Sequence, residues 1–388
     1  MQRSTDRILT THTGSLPRPP DLVAMLLARA AGQPVEAARL AERVRSAVGE
    51  MVAQQISAGL DVVNDGEQGK VSFEAYRKER LSGFELREVA PASAPGIMEA
   101  REFPEFFARM WFRNRTGPES APEGFRREFC TGPVAWKNFQ EVERDLGNLR
   151  AAASGAPATE TFMTAVSPAT YAPQDDYYHN ESDYLGALAA AMRREYQAIV
   201  EAGFVLQIDA PDLTTMYRLE DIGFPEYLRR LHLYVDAINE AVRGLPLDRI
   251  RVHVCWGADE APHHRDVPLK DILGELLRLT PHGMSIPGAN GRHAHEWQVW
   301  RDVKLPPDKI IIPGVIDSTT NIIEHPEAVA ERIEHYAQVL GRERVIAGVD
   351  CGFDTVADRA QVDSRIVWAK LRALAQGAEI ASRRLWGR

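Results

Sequence analysis

Apolar residues fall along this chain in two rhythms. Short apolar runs, each closing on a polar or small residue, recur from end to end: ILTTHTGS (8–15), DVVNDGE (61–67), TFMTAVSP (161–168), GFVLQIDAP (203–211), RIRVHVCWG (249–257), GMSIPG (283–288), KIIIPGVID (309–317) and RVIAGVDCG (344–352). Runs of this length, rich in Val and Ile and bounded by Gly and Pro, predict buried strands. Between them apolar positions recur every three to four residues, which predicts helices. Such segments cover 35–58, 226–243, 269–279, 326–340 and 361–381. Leu185, Leu188, Met192, Tyr196 and Ile199 mark the face of another.

Strands alternating with helices predict an α/β fold, a (β/α)8 TIM barrel. A doubly wound sheet alternates too, but would carry a glycine-rich phosphate loop after its first strand, and GSLPRPP is not one. The barrel also explains why polar groups gather at the C-terminal ends of the runs: Ser15, Glu67, Ser167, Asp209, His253, Cys255, Asp317 and Cys351. Those ends form the face that carries barrel active sites. Residues 71–160 break the rhythm. They read as a long excursion after the second strand, inside a single domain spanning 1–388, with a hairpin at CTGPVAWKN (130–138).

Composition narrows the class. With 44% hydrophobic and 26% charged residues the chain is globular. A net charge of −9 leaves no basic footprint for nucleic acid. No apolar stretch is long enough for a bilayer, and MQRSTDRILT lacks the apolar run of a secretory signal. Three widely spaced cysteines make no disulfide scaffold, so a reducing cytoplasm is expected.

The chemistry sits in RVHVCWG. Side chains at i and i+2 of a strand share a face, so His253 and Cys255 project together. Imidazole and thiolate are zinc ligands. The pair alone fits equally a buried histidine beside a core cysteine. Cys351, in VDCGF at the end of the eighth run, is a third candidate ligand at the same barrel mouth, and by spacing alone it fits equally a cysteine packed under a glycine turn with no role. Three protein ligands with one position open is the pattern of a catalytic zinc.

In their order along the chain, TTHTGSLPRP, DVVNDGEQGK, LQIDAP, HVCWG and DCGF resemble the catalytic barrel of the cobalamin-independent methionine synthases and their short stand-alone relatives. Those relatives include the epoxyalkane:coenzyme M transferases, and ANGRHAHEW and GVIDSTTNIIEHPE are similar to segments of the short forms. The resemblance implies a barrel of the UROD/MetE-like type with Zn2+ held by His253, Cys255 and Cys351. It implies a small thiol, bound as a thiolate, that takes a methyl or alkyl group from a donor such as a methylated folate. Gly14, Ser15, Glu67 and Asp209 match the positions that hold homocysteine, with Glu67 and Asp209 facing its ammonium and Ser15 its carboxylate. Asp317 joins Glu67 and Asp209 as a candidate catalytic group, and Arg292 is a candidate for an anionic substrate group.

Three departures bear on substrate. Synthases supply a zinc-binding glutamate from the sixth strand, whereas here SIPGANGRH puts Pro287 at that position. His293, His295 and Glu296 are then candidate substitutes, at the start of an expected helix. GVIDSTTN offers Thr319 or Thr320 where large synthases carry a histidine, and AVSPATY has no obvious counterpart of the aromatic that stacks on the pterin, although Tyr171 is near. A thiol alkyltransferase or lyase of the coenzyme M type therefore stands as the alternative. A metal-free barrel decarboxylase and a non-catalytic metabolite-binding barrel stand behind it.

Overall fold

The computed structural model describes residues 1–73, 76–89, 98–113, 125–170 and 172–387. Eight short parallel strands form its centre: β1 (Leu9–Thr10), β2 (Val62–Val63), β3 (Glu160–Val166), β4 (Val205–Asp209), β5 (Ile250–His253), β6 (Gly283–Ile286), β7 (Ile310–Pro313) and β8 (Ile346–Ala347). From β2 to β7 each pairs with the next in sequence, and β8 pairs with β1. Two parallel bridges, Ile311 to Val345 and Gly314 to Gly348, join β7 to β8. The Asp61 N–H donates to the Thr10 carbonyl at 3.2 Å and joins β2 to β1. The ring closes, as the alternating pattern predicts. Strands covered on both faces read as continuous apolar runs, and Ile310 to Ile312 are buried throughout.

The outer helices follow the three-to-four rhythm: Ala37–Ser57, Glu181–Glu201, Phe224–Ala241, Leu269–Leu276, Pro326–Leu340 and Ser364–Trp386. Three of them start at a capping side chain: Asn180, His325 or Asp363. Asn180 accepts from the N–H groups of Ser182 and Asp183, and Asp363 from that of Arg365. The last two helices touch through Gly377, where a Cβ would meet Val329 at 2.5 Å. No helix among the described residues is long and apolar enough to cross a membrane.

Between β2 and β3 the chain leaves the ring. Leu81–Val89 pairs antiparallel with Phe125–Trp136, and Gln174–Asp175, which follows β3 in the chain, adds a third strand. The hairpin expected at 130–138 is instead part of one strand. Its Gly-Pro step is absorbed opposite a register shift at Gly83, where a Cβ would meet the Pro133 carbonyl at 2.7 Å. The helix expected after Arg292 is also corrected. The segment turns, and a 3₁₀ helix runs Glu296–Asp302.

Inside the barrel, one layer below the strand ends, lies a polar plug. Arg251 precedes His253 by two residues and Gln207 precedes Asp209 by two, so each shares the inward face of its successor. The Arg251 guanidinium donates to Gln207 Oε1 at 2.8 Å, Thr11 Oγ1 at 3.1 Å and the His12 carbonyl at 2.9 Å. It lies 3.8 Å over the Phe162 ring. Burial lowers its pKa to about 9. These contacts give the floor of the mouth a fixed side-chain layer.

Candidate active site

His253 ends β5, and Cys255 follows in its extended continuation, where the Val254 N–H still donates to the Ser285 carbonyl at 2.9 Å. Trp256 turns the other way and donates its indole N–H to the Val267 carbonyl. Cys351 lies just past β8. The closed ring brings these ends together: one ligand atom each from His253, Cys255 and Cys351 lies within 4.8 Å of the others. The two sulfurs are 3.2 Å apart, and both thiols are free. His253 Nδ1 is 3.4 Å from Ser285 Oγ, while its Nε2 is buried without a partner. A buried ring nitrogen with no hydrogen bond, on a histidine grouped with two sulfurs, makes a donor set for a soft or borderline metal ion. Cys130, the third cysteine, packs in the outer sheet and plays no part.

Two thiols in contact do not ionise alike. Cys255 is held well below the usual thiol range, first by the Cys351 thiol beside it and then, against burial, by His253 and the Gly257 N–H. Cys351 moves the opposite way for the same reason. No fourth His, Cys, Asp or Glu joins the three among the described residues. His293 and Glu296 are engaged elsewhere. His293 Nδ1 contacts Glu296 at 2.7 Å and its Nε2 contacts Asp266 at 3.1 Å, so neither ring nitrogen is free for a metal. His295 stands just before the 3₁₀ helix, makes no capping hydrogen bond to it and is exposed.

Two chambers meet at the trio. The first, of about 270 Å³, is lined by Ser15, Glu67, Asp209, His253, Cys255 and Cys351 among others. The second, of about 340 Å³, has Trp256, Pro287, Arg292, Asp317, Thr319 and Cys351 in its wall. Cys351, Gly257 and Asp259 border both.

The first chamber gathers the expected amino-acid-binding residues. Glu67 sits in the left-handed region at φ 57, its N–H donating to Asp65 Oδ1 at 3.0 Å. Its Oε1 accepts from Thr164 Oγ1 at 3.1 Å, and its Oε2 has no partner. Gly14, at φ 137, makes that placement possible, because a Cβ there would lie 2.6 Å from Glu67 Oε1. Gly352 does the same for Ser15, whose Oγ would lie 2.1 Å from an added Cβ. Asp209 Oδ1 accepts from Gln207 Nε2 at 2.7 Å. Burial, and then the Glu67 charge, push the Asp209 carboxyl up to about 7. Glu67 is raised too, by burial, against Lys70 and Arg18.

Asp317 and Arg292 fall in the second chamber. Asp317 Oδ1 accepts from the Thr319 N–H and hydroxyl, both at 2.8 Å. Arg292 is exposed and donates to the His264 carbonyl at 3.0 Å. Tyr171 lies outside the described residues.

Two features escaped the sequence reading. Asp350 accepts from the N–H groups of Gly288, Ala289 and Asn290 and from the Asn290 amide, so it pins the loop that follows Pro287. Its signal was a carboxylate directly before Cys351 at a strand end. The other is an ionic chain, Arg218–Asp259–His263–Asp266–His293–Glu296, along the wall of the second chamber. The histidines of PHHRD and RHAHEW marked its parts without showing that they meet.

The family model for the cobalamin-independent synthase catalytic domain matches residues 163–366, which include all three thiol and imidazole donors. The chain belongs to this family. Its curated relatives include the methionine synthase of Saccharolobus solfataricus, 25% identical over 381 residues, with 97% of this chain and 95% of that protein covered. The methionine synthase of Sulfolobus acidocaldarius is 25% identical over 350 residues, covering 88% and 85%. Among solved structures, a B12-independent methionine synthase from Shewanella sp. in complex with selenomethionine superposes with a TM-score of 0.70 at 20% identity, covering 98% of this chain and 100% of that one. A putative vitamin-B12 independent methionine synthase from Listeria monocytogenes gives 0.64 at 20% identity, covering 96% and 98%. At that identity the two structures establish the shared fold.

Proposed function

We propose that this synthase-family barrel methylates a small thiol of the homocysteine class, held as a thiolate on zinc at His253, Cys255 and Cys351. The observation that carries it is the unpartnered His253 Nε2 buried beside the paired sulfurs of Cys255 and Cys351. Zinc, when bound there, lowers the pKa of a coordinating thiol so that it is a nucleophile at neutral pH.

The chain's own residues then do the rest. Ser285 contacts His253 Nδ1 and orients the ring, as outer partners of ligating histidines do. In the first chamber Glu67 Oε2 and Asp209 offer negative charge to an ammonium, and Ser15 faces the carboxylate. Burial strengthens this recognition because the two carboxylates repel each other until a cation arrives. Pro287 leaves the sixth-strand position without a ligand, so the thiol has room to bind. The donor, a methylated folate in the leading reading, enters the second chamber, where Arg292 and Asp317 meet its polar groups. Its methyl carbon then approaches the sulfur across Cys351, which borders both chambers.

The test is metal content with a spectroscopic readout. Purified protein should carry one zinc per chain. Its cobalt(II) form should gain a sulfur-to-metal band when homocysteine is added. A protein that binds no metal, or a cobalt spectrum indifferent to thiols, overturns the reading.

A further inference from the structure

When a thiolate takes a methyl group, the electrons of the broken bond stay with the leaving group. A neutral donor therefore releases an anion that must collect a proton. A cationic donor releases a neutral molecule and needs none. The choice between them rests on the methyl transfer proposed for the site, and it is written on the wall of the second chamber.

That wall holds no acid free to give a proton among the described residues. His263 is bound at both nitrogens: Nδ1 contacts Asp266 at 2.8 Å, and Nε2 contacts the Asp259 carbonyl and Arg218 Nη1, both at 3.1 Å. His293 is bound likewise, to Glu296 and Asp266. The Trp256 indole N–H is spent on the Val267 carbonyl. Arg292 is exposed, and a guanidinium keeps its proton. Cys351 belongs to the metal trio. Carboxylates accept, and the serine and threonine hydroxyls are far weaker acids.

The same wall carries more negative charge than it pairs. Asp259 is answered by Arg218 at 2.6 Å, and His263 and His293 by Asp266 and Glu296 behind them. Two carboxylates are left over: Asp350, which directly precedes Cys351, and Asp317. Asp350 takes four N–H donors, all of them uncharged amides. Asp317 takes the N–H and hydroxyl of Thr319, both through Oδ1. Neither has a cationic partner among the described residues. Between Asp317 and Thr319 stands Ser318, only 4% exposed, whose Oγ has no hydrogen bond. A buried hydroxyl left bare costs free energy that a ligand can restore. All three residues line the chamber. A cleft with unpaired charge of one sign concentrates ligands of the other.

We propose that the second chamber takes a methylsulfonium cation as donor, with Asp317 and Asp350 meeting its charge and Ser318 Oγ its methyl groups. The transfer balances without a proton: R–S⁻ + CH3–SR′2⁺ → R–S–CH3 + SR′2. A thiolate lone pair forms the new S–C bond. The pair of the old C–S bond stays with the sulfonium sulfur, which leaves as a neutral thioether. The thioether has no charge for Asp317 to hold, so it departs. Because the carboxylates hold the donor before it reacts, they act on its binding and not on the rate of the bound complex.

The test uses the zinc-loaded protein with homocysteine and two donors. In 5-methyltetrahydrofolate the methyl sits on a tertiary amine, which needs a proton to leave, whereas trimethylsulfonium needs none. The sulfonium should have the higher kcat/KM by about 100-fold or more, the worth of a missing general acid. Asp317→Asn should raise the sulfonium KM by about tenfold and leave kcat within about threefold. Asp317→Glu keeps the charge and should recover most of the loss. Tetramethylammonium reads the same charge without turnover. Its affinity, measured by calorimetry, should fall about tenfold in Asp317→Asn, while uncharged tert-butanol binds both proteins alike. A folate that matches or exceeds the sulfonium, or a sulfonium that gives no methyl, overturns the inference and leaves the proposed function standing. So does an Asp317→Asn protein that binds both cations like the wild type. If that variant does not fold, the wild type decides: tetramethylammonium bound no more tightly than tert-butanol overturns the inference. A cobalt form with no thiol band fails the proposed function itself, before any donor is added.

Discussion

Two histidine-bearing walls flank Cys351, and they are built on opposite principles. On one, His253 is buried with its Nε2 unpartnered, and Glu67 nearby leaves its Oε2 bare. On the other, His293 is as deeply buried, yet both its ring nitrogens have carboxylate partners. Buried polar groups are expensive when unpaired. The first wall leaves a buried ring nitrogen bare and is incomplete without a ligand, whereas on the second wall both ring nitrogens of its buried histidine are satisfied within the chain, although Asp266 Oδ1 and Arg218 Nε there have no hydrogen bond. The difference separates a place that binds from a place that supports.

The strongest way to break this comparison is to remove a ligand from the incomplete wall. Cys255→Ala should abolish metal binding and lower methyl transfer by about a thousandfold or more, since the metal is needed to make the nucleophile. Full zinc occupancy in the variant, measured by elemental analysis, would contradict the assignment. The same wall can be completed instead. Pro287→Glu should place a carboxylate at the sixth-strand position, and metal loss to a chelator should slow by about tenfold or more as the site closes. An unchanged rate would mean that Pro287 does not border the fourth position.

A smaller effect separates the thiols. Asp209→Asn removes charge and keeps size, so it should weaken homocysteine by about 1.5–3 kcal/mol, the range for a hydrogen bond to a charged group. A sulfonate thiol such as coenzyme M, which has no ammonium, should be nearly indifferent. Comparable losses for both thiols would remove the ammonium role from Asp209. No loss with homocysteine would favour the coenzyme M type of substrate.

The incomplete wall was the legible one. His253 and Cys255 share a strand phase, and Cys351 lies at another strand end, so period and residue type suggest the trio once a barrel is drawn, and the family resemblance singles it out. Glu67, Asp209 and Ser15 stood at strand ends by the same pattern, but their part in binding came from the resemblance. Contacts made across the ring did not. That Gly14 yields space to Glu67 depends on a positive φ and a 2.6 Å approach, neither of which has a local signature. Asp350 works through backbone N–H groups of a distant loop. His293 was a candidate fourth ligand because of its chemistry. The fold hands it to Asp266, which comes from the loop after β5. Residue type says what a side chain can do, and only the tertiary arrangement says which partner reaches it first.

The smallest predicted effect probes the His293 wall, and it is a matter of pH. Burial lowers the His293 pKa, but the bonds to Asp266 and Glu296 outweigh it and raise the group from 6.5 to about 9. A folded-state pKa above the unfolded one means that the folded protein binds the proton more tightly. The resulting stabilisation is fully present below pH 6.5 and is lost as the pH rises through 9. His293→Gln keeps a hydrogen-bonding side chain but removes the charge. Asp266 would still keep His263, so the loss should be modest, about 1–2 kcal/mol at pH 6. Denaturant unfolding of wild type and variant across the alkaline range is the measurement. The gap between them should be widest at pH 6 and narrow as the pH climbs toward 9. A gap that stays constant with pH would mean that the histidine is held by packing against Trp256 and not by its charge. The contrast between the two walls would then need a different explanation.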